Sequence, residues 1–402
     1  MFSDLARSLV GAAGAGVVLT TLVCAQAPAA APDRPVSLYG VVPREAGIDG
    51  IASAELATPE TIDTADEVKR SEFVIAPIPI VNPTIDNGLA IVGGFVYRLD
   101  PNDRTTPPSV SGGGGFKTSN GSWGAAALQT LNVAHDKFRV RALAAYANVK
   151  YAFFGIGQGA GNSGESIEVN QVGPAGVVEG LMRVWRNWYV GARYQLMAMT
   201  IKSGAATGPD APTVPASDAQ LRTAALGPRL EYDSRDNVFY PRHGTQMQGI
   251  ASLYGEAVGG RRSYQVYQVW LNDYHAIGRR NVLAWHVAAC DAEGSVAFYD
   301  LCLLGKSQDV RGYTIGQYRD RALLAAQTEW RTELWWRLGA TAFVGGGVVA
   351  PGLDALASQE VLPGGGAGLR FTLAERNHVN LRVDYAWGKS SSALYVGIAE
   401  AF

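Results

Sequence analysis

Asp233, Arg235 and Asp236 fall within four residues of one another, the density at which a carboxylate pair could share a proton or hold a metal ion. Their setting argues for folding instead. Asp233 and Arg235 alternate on one face of a strand end and pair there, while Asp236 and Asn237 begin a turn that Pro241 and Gly244 complete. Cys290 and Cys302 are the next candidates, and with export into an oxidising compartment they read as a disulfide at the root of a loop rather than a metal site. Gly155 to Gly161, GIGQGAG, has the glycines of a phosphate-binding turn but no helix predicted after it, so it is expected to be a flexible loop. His135, His243, His275, His286 and His378 show no ligand spacing and no GxSxG motif is present, so neither catalysis, a metal nor a cofactor is expected.

The remaining charged residues alternate with apolar ones, which makes strands the elements that must position them. In residues 377–387, Val379, Leu381, Val383, Tyr385 and Trp387 share one side and Asn380, Arg382 and Asp384 the other. Residues 323–334 send Leu324, Ala326, Trp330 and Leu334 one way and Gln327, Glu329, Arg331 and Glu333 the other. Residues 223–235 repeat the pattern, with Leu226, Leu230 and Tyr232 opposite Arg229, Glu231, Asp233 and Arg235. Weaker alternation marks 88–99, 109–118, 122–133, 138–151, 168–184, 188–201, 245–258, 263–277, 281–289, 337–349, 365–374 and the end of the chain. That makes fifteen strands, and single-chain bacterial barrels carry an even number. The stretch 73–81, FVIAPIPIV, is the sixteenth, an edge or seam strand because of Pro77 and Pro79.

Apolar sides facing lipid and polar sides facing a wet lumen describe a transmembrane barrel. Beyond Cys24 no apolar run approaches the ~20 residues of a membrane-spanning helix. Glycine makes up 48 of 402 residues and charged residues 17%, and a net charge of −2 gives no basis for binding nucleic acid. Apolar residues 8–24 followed by small ones from Ala25 to Ala31 read as a signal peptide, residues 1–27, ahead of a flexible periplasmic lead, 28–72, and a barrel, 73–402. Phe402 closes the chain, and with Leu394, Val396 and Ile398 it is placed on one lipid-facing side as a signal for outer-membrane insertion. Tight turns at 186–187 and 277–280 should alternate with long outer loops at 100–108, 155–166, 203–219 and 291–319. The lumen set Arg139, Arg141, Arg193, Arg229, Glu231 and Arg370 is expected to satisfy itself around a folded-in loop, with a transport path as the alternative.

Two motifs, LGPRLEYDSRDNVFYPRHGT at 226–245 and DVRGYTIGQ at 309–317, together with NLRVDYAWG at 380–388, resemble the BamA/TamA family of outer-membrane barrels, also called bacterial surface antigens. The resemblance covers about residues 73–402. It implies an all-β fold, a single antiparallel barrel of about sixteen strands whose long sixth extracellular loop folds into the lumen, held by the VRGY stretch of Arg311, Gly312 and Tyr313. The family's Arg pairs with two lumen carboxylates. Arg311 is that Arg and is expected to pair with Glu329, which matches the first carboxylate; the second falls at Gly345, so half of the lock is missing, with Glu333, Asp384 or a water as the candidates to substitute.

The segment ahead of the barrel is too short for the periplasmic POTRA domains of protein-assembling relatives. The expected function is assisting insertion of outer-membrane proteins, or translocating protein or lipid, through a weak seam between the first and last strands. The alternative is a passive channel for small solutes with the loop as a plug. Expected partners are outer-membrane lipid, the machinery that inserts the barrel itself, and a client the sequence does not name.

Overall fold

The computed structural model describes residues 71–82, 84–100, 106–306, 309–374 and 378–402. The signal segment 1–27 and all but the last two residues of the 28–72 lead lie outside the described residues. Those two residues already belong to the first strand.

Alternating side chains in runs of seven to nineteen residues build the wall. Its first half comprises β1 (Ser71–Asn82), β2 (Asp86–Tyr97), β3 (Ser109–Thr118), β4 (Trp123–Val133), β5 (Phe138–Phe153), β6 (Ile167–Trp185), β7 (Trp188–Ala206) and β8 (Gln220–Asp233). β9 (His243–Tyr254), β10 (Tyr264–Ile277) and β11 (Asn281–Gly294) follow, and a long loop then carries the two-residue strands β12 (Cys302–Leu303) and β13 (Arg319–Asp320). β14 (Ala322–Trp335), β15 (Leu338–Ala350), β16 (Leu362–Ala374), β17 (Val379–Trp387) and β18 (Ser392–Ile398) complete the circuit. With β12 and β13 set aside as their own small sheet, sixteen antiparallel strands form a closed barrel in which β11 meets β14 and β18 meets β1. Closure leaves no backbone donor or acceptor facing hydrocarbon except where pairing at the seam fails.

The two faces separate by polarity. On β14, Leu324, Trp330 and Leu334 are exposed on the outside while Gln327, Glu329 and Arg331 are buried inside. On β17, Val383, Tyr385 and Trp387 are exposed, and Asn380, Arg382 and Asp384 are buried. This is the dyad pattern of a wall with lipid on one side and polar groups on the other. Val379 departs from it: it is buried against Phe239 and Ala399 at the barrel's end.

Several boundaries differ from the sequence reading. The strand expected over 245–258 stops at Tyr254, because Glu256–Val258 turns into a 3-10 helix. A six-residue helix, Gln158–Ser163, interrupts the glycine-rich loop that was expected to be wholly flexible. The 100–108 loop is not an outer one. Each antiparallel strand reverses direction, so the β2–β3 connection lies at the same end as the tight turns 186–187 and 278–280, opposite the long loops 154–166, 207–219 and 295–321.

Pairing is uneven around the ring. β1 and β2 pair in unbroken register from Ser71↔Tyr97 to Asn82↔Asp86, through both prolines. β1 and β18 share one register pair, Val81↔Val396. Beyond it, residues 71–80 of β1 present an edge to which no strand is joined among the described residues.

Candidate functional site

The long loop between β11 and β14 turns back into the barrel. Phe298, Tyr299, Leu304, Val310, Tyr313 and Tyr318 of this loop are buried in one cluster with inner-wall residues such as Phe153, Ala288, Leu323 and Val349. Cys290 of β11 and Cys302 of β12 are joined by a disulfide that fixes the loop's root to the wall. β12 then pairs with β13, so the described residues between them, 304–306 and 309–318, belong to an inner lobe with Arg311 in it.

Arg311 is fully buried and its donors are taken up by the inner wall. Nη1 donates to Asp384 Oδ2 at 2.7 Å, Nη2 to Glu329 Oε2, and Nε to Gln327 Oε1 at 3.3 Å. The guanidinium carbon lies 3.4 Å from the centre of the Phe343 ring. Position 345, where the resemblance put a second carboxylate, is a glycine whose added Cβ would lie 2.4 Å from the Ala326 carbonyl oxygen. Asp384 of β17 supplies that carboxylate instead, and Phe343, two residues before Gly345, supplies a ring face. Glu333 does not take part. It lies toward the barrel's end, with Oε1 3.1 Å from Arg242 Nη1.

The lock is shared. Arg331 Nε donates to Glu329 Oε1 at 2.7 Å, Arg370 donates through Nη1 to Asp384 Oδ1 and through Nε to Glu400 Oε2 at 2.7 Å, and Asn380 donates to Glu400 Oε1 at 2.9 Å. Burial makes each of these charges costly alone, and mutual pairing with hydrogen bonds offsets that cost. Gly312 follows Arg311 in the left-handed region, φ 113°, where a Cβ would come within 2.5 Å of the Trp387 carbonyl carbon. Its N–H donates to Tyr395 Oη at 3.1 Å, and its carbonyl accepts from Ser391 Oγ at 2.6 Å. Tyr313 donates through its hydroxyl to the Pro363 carbonyl and accepts from Lys389 N–H at 3.0 Å. The VRGY stretch therefore holds β14, β16, β17 and the β17–β18 turn together.

The loop also meets its neighbours. Gln317 donates to the Gly161 carbonyl at 3.3 Å and Tyr318 to Asn162 Oδ1 at 3.1 Å, which gives the glycine-rich segment 155–161 a packing role. Near the loop's start, Asp300 accepts from the Tyr264 hydroxyl, and burial raises its carboxyl to about 6.

The strand–turn motif sits at the opposite end, away from the lock. Arg235 clamps Asp233 with two bonds, 3.0 and 2.8 Å, and Asp236 Oδ1 accepts three backbone N–H groups, from Asn237, Arg242 and His243. Pro241 is buried in this turn and Gly244, φ 102°, stands second in β9. Phe239 of the turn packs on Val379 and Ala399, and Tyr240 stacks on His378 at 5.6 Å. The turn thus caps the barrel below β17 and β18, a reach that the sequence signalled only by two adjacent aromatics in a polar turn.

The other lumen charges form a second group of ion pairs. Arg139 and Arg141 meet Glu231 at 2.8 and 2.9 Å, Arg141 meets Glu179 at 2.9 Å, and Arg229 and Arg193 approach Glu179 at 3.5 and 3.9 Å. Among the described residues no group of three His, Cys, Asp or Glu side chains is placed to hold a metal.

Phe402 is where the sequence reading fails most clearly. β18 ends at Ile398, and Ala399, φ 65°, turns the chain inward. Glu400 joins the lock, Arg331 Nη2 donates to Phe402 O at 2.9 Å, and the Phe402 ring packs inside on Tyr274 and Ala284, 5.3 Å from the His286 ring centre. Strand alternation cannot carry past a left-handed residue, so Phe402 faces the lumen rather than lipid.

No curated protein matches this sequence. Among solved structures, a Haemophilus ducreyi BamA lacking POTRA domains 1–3 is similar, with a TM-score of 0.51 and 12% identity over 82% of this chain and 69% of that one. CdiB from Acinetobacter baumannii has a TM-score of 0.53 and 12% identity, covering 82% of this chain and 59% of that one. CdiB from Escherichia coli has a TM-score of 0.58 and 12% identity, over 84% of this chain and 63% of that one. At these identities the likeness is one of fold, and this chain spans less than two thirds of either CdiB. The Omp85 superfamily domain matches residues 129–402, from β4 to the inward-turned tail and including the Arg311 lock, and the chain belongs to the Omp85 superfamily.

Proposed function

We propose that this protein resides in the bacterial outer membrane and moves polypeptide into or across it, by assisting insertion of membrane barrels or by secretion. The observation that carries the reading is the seam. β1 and β18 share one register pair, Val81↔Val396, whereas β17 and β18 share seven. An unpaired strand edge is a template for another chain. Pro77 and Pro79 help to keep the seam weak, because a residue without a backbone donor cannot complete a ladder on the side its nitrogen faces, and β1 is in unbroken register on its β2 side.

The filled lumen weighs against a passive solute channel. A disulfide and a buried Arg–carboxylate lock hold the loop in place, and the opposite wall carries charges that already pair. The test joins the seam: a Val81→Cys/Val396→Cys double variant oxidised to a disulfide should abolish function, scored as restored levels of other outer-membrane proteins, or of a secreted protein, in a depleted strain. Reduction should restore it. A cross-linked barrel that works as well as wild type would sink the proposal, and steady conductance that rises when residues 295–321 are deleted would replace it with the channel.

A further inference from the structure

Arg382 lies on the inner wall beside the seam. It is 7% exposed, yet its Nε and Nη1 have no hydrogen-bond partner. Its cross-strand neighbours explain why. On β16 the residue in register is Arg370, a like charge, and on β18 it is Gly397, which has no side chain. Like charges directly opposite destabilise a strand pair unless each finds an anion.

The surrounding groups are already committed. Asp384, two residues along, bonds Arg370 through Oδ1 and Arg311 through Oδ2, so its charge reaches Arg382 only through space and not through a hydrogen bond. Asn380, two residues back, donates to Glu400, which also accepts from Arg370. The Tyr395 hydroxyl serves Gly312. Arg311, Arg331, Arg370 and Arg382 thus face the side-chain carboxylates of Glu329, Asp384 and Glu400, and Arg382 has no bond to any of these three.

Position matters as much as charge. A Cβ built on Gly397 would lie 3.0 Å from Arg382 Nε and 3.3 Å from Nη2, so the guanidinium rests directly on the bare backbone of β18. Gly397 is adjacent to Val396, whose partner Val81 makes the seam. Across β18 from Arg382 the free edge of β1 begins, at Ile80. A strand joined to that edge places every second side chain inward.

We propose that Arg382 receives a carboxylate carried on the inward face of an extended peptide that pairs with the free edge of β1, and that Gly397 is glycine so that the guanidinium can reach across β18. The inference rests on the seam reading above and adds a chemical preference to it: an acidic residue, or a terminal carboxylate, at one lumen-facing position of the incoming strand. A backbone edge selects a peptide rather than a lipid, since only a peptide satisfies the edge's donors and acceptors.

The test uses the full chain folded in detergent micelles and two synthetic peptides of alternating apolar and polar residues, identical but for one inward Asp or Asn. The Asp peptide should bind at least about tenfold more tightly, the ratio that one hydrogen bond to a charged group carries. Arg382→Gln should erase the difference while leaving Asn-peptide binding intact. Gly397→Ala, which pushes the guanidinium aside, should reduce it, and both variants are checked for folding by their compact mobility on unheated gels. Equal binding of the two peptides to wild type overturns the Arg382 assignment and leaves the seam reading standing. Binding of neither peptide overturns both. Loss of the Asp preference when phosphatidylglycerol is added to the micelles, with no such loss on adding phosphatidylcholine, overturns the peptide in favour of a lipid phosphate.

Discussion

Arg311→Ala should be the most damaging single change in the lumen, and its cost can be worked from its contacts. The substitution removes two charge-assisted bonds, to Glu329 and Asp384, at about 1.5–3 kcal/mol each. It also removes the cation over the Phe343 ring, worth up to about 2 kcal/mol when desolvated. What it leaves behind moderates the loss: Glu329 keeps Arg331 at 2.7 Å and Asp384 keeps Arg370, so neither carboxylate is stranded. The net should therefore lie at about 3–5 kcal/mol, within the range for breaking a buried pair. Asp384→Ala should cost less, about 2 kcal/mol, because Arg311 retains Glu329 and Arg370 retains Glu400. The assay is the temperature at which the compact, fast-migrating form converts to the slow one on gels, together with abundance in the membrane. Wild-type conversion and abundance in Arg311→Ala, or a larger loss in Asp384→Ala than in Arg311→Ala, would refute the ranking and the shared-lock argument behind it.

Three further outcomes follow from the loop. Asp300 titrates at about 6 in the docked loop against about 3.9 for a free carboxyl, so docking is favoured while the group is protonated and weakens by up to about 3 kcal/mol as pH rises from 4 to 6; limited proteolysis of residues 295–321 should quicken over that window, and Asp300→Asn should flatten the profile. With a sequence separation of 12, loss of the Cys290–Cys302 disulfide should cost about 3 kcal/mol of loop-closure entropy, so reduction should expose residues 295–301 to protease, and titration of the unreduced protein should find neither of these thiols free. Gly312→Ala, at φ 113° and 2.5 Å from Trp387, should lower the conversion temperature with every charge retained, and an unchanged temperature would show that the VRGY glycine is not held as described.

Much of the fold was legible because polarity alternates with a period of two wherever a wall separates lipid from a polar lumen. On β14 and β17 that rule placed Glu329, Arg331, Arg382 and Asp384 inside without any knowledge of partners. Partners are another matter. Glu329 is 18 residues from Arg311 and Asp384 is 73, and nothing local in NLRVDYAWG says that its Asp rather than Glu333 closes on the loop. Phe343 was hidden in the same way, since an inward aromatic two residues before Gly345 reads as filler until a cation is seen on it. The tail was misread for a local reason. Alternation was extrapolated from Leu394 and Val396 through Ala399, and one residue in a left-handed conformation reversed the face of everything after it.

These misreadings meet on one strand. β17 carries Asp384, which holds the sixth loop, and Arg382, which leans over β18 toward the seam; its Asn380 holds Glu400 of the inward tail. The tail in turn shares Arg370 with Asp384. A movement of β18 away from β1 therefore cannot leave the lock untouched, because the tail continuing from β18 is tied through Arg370 to the carboxylate that holds Arg311. Conversely, with the loop root fixed by its disulfide, a shift of the inner lobe would draw on Asp384 and reach β18 through the same bonds. The physical consequence is coupling between loop and seam through the buried guanidiniums of Arg311, Arg331 and Arg370. Arg370→Gln combined with Arg331→Gln, which removes both ties of the tail to the lock without touching Arg311 or the Val81↔Val396 pair, should make seam cross-linking insensitive to the Arg311→Ala substitution; cross-linking that still responds as it does in the wild-type background would mean that the two sites act independently.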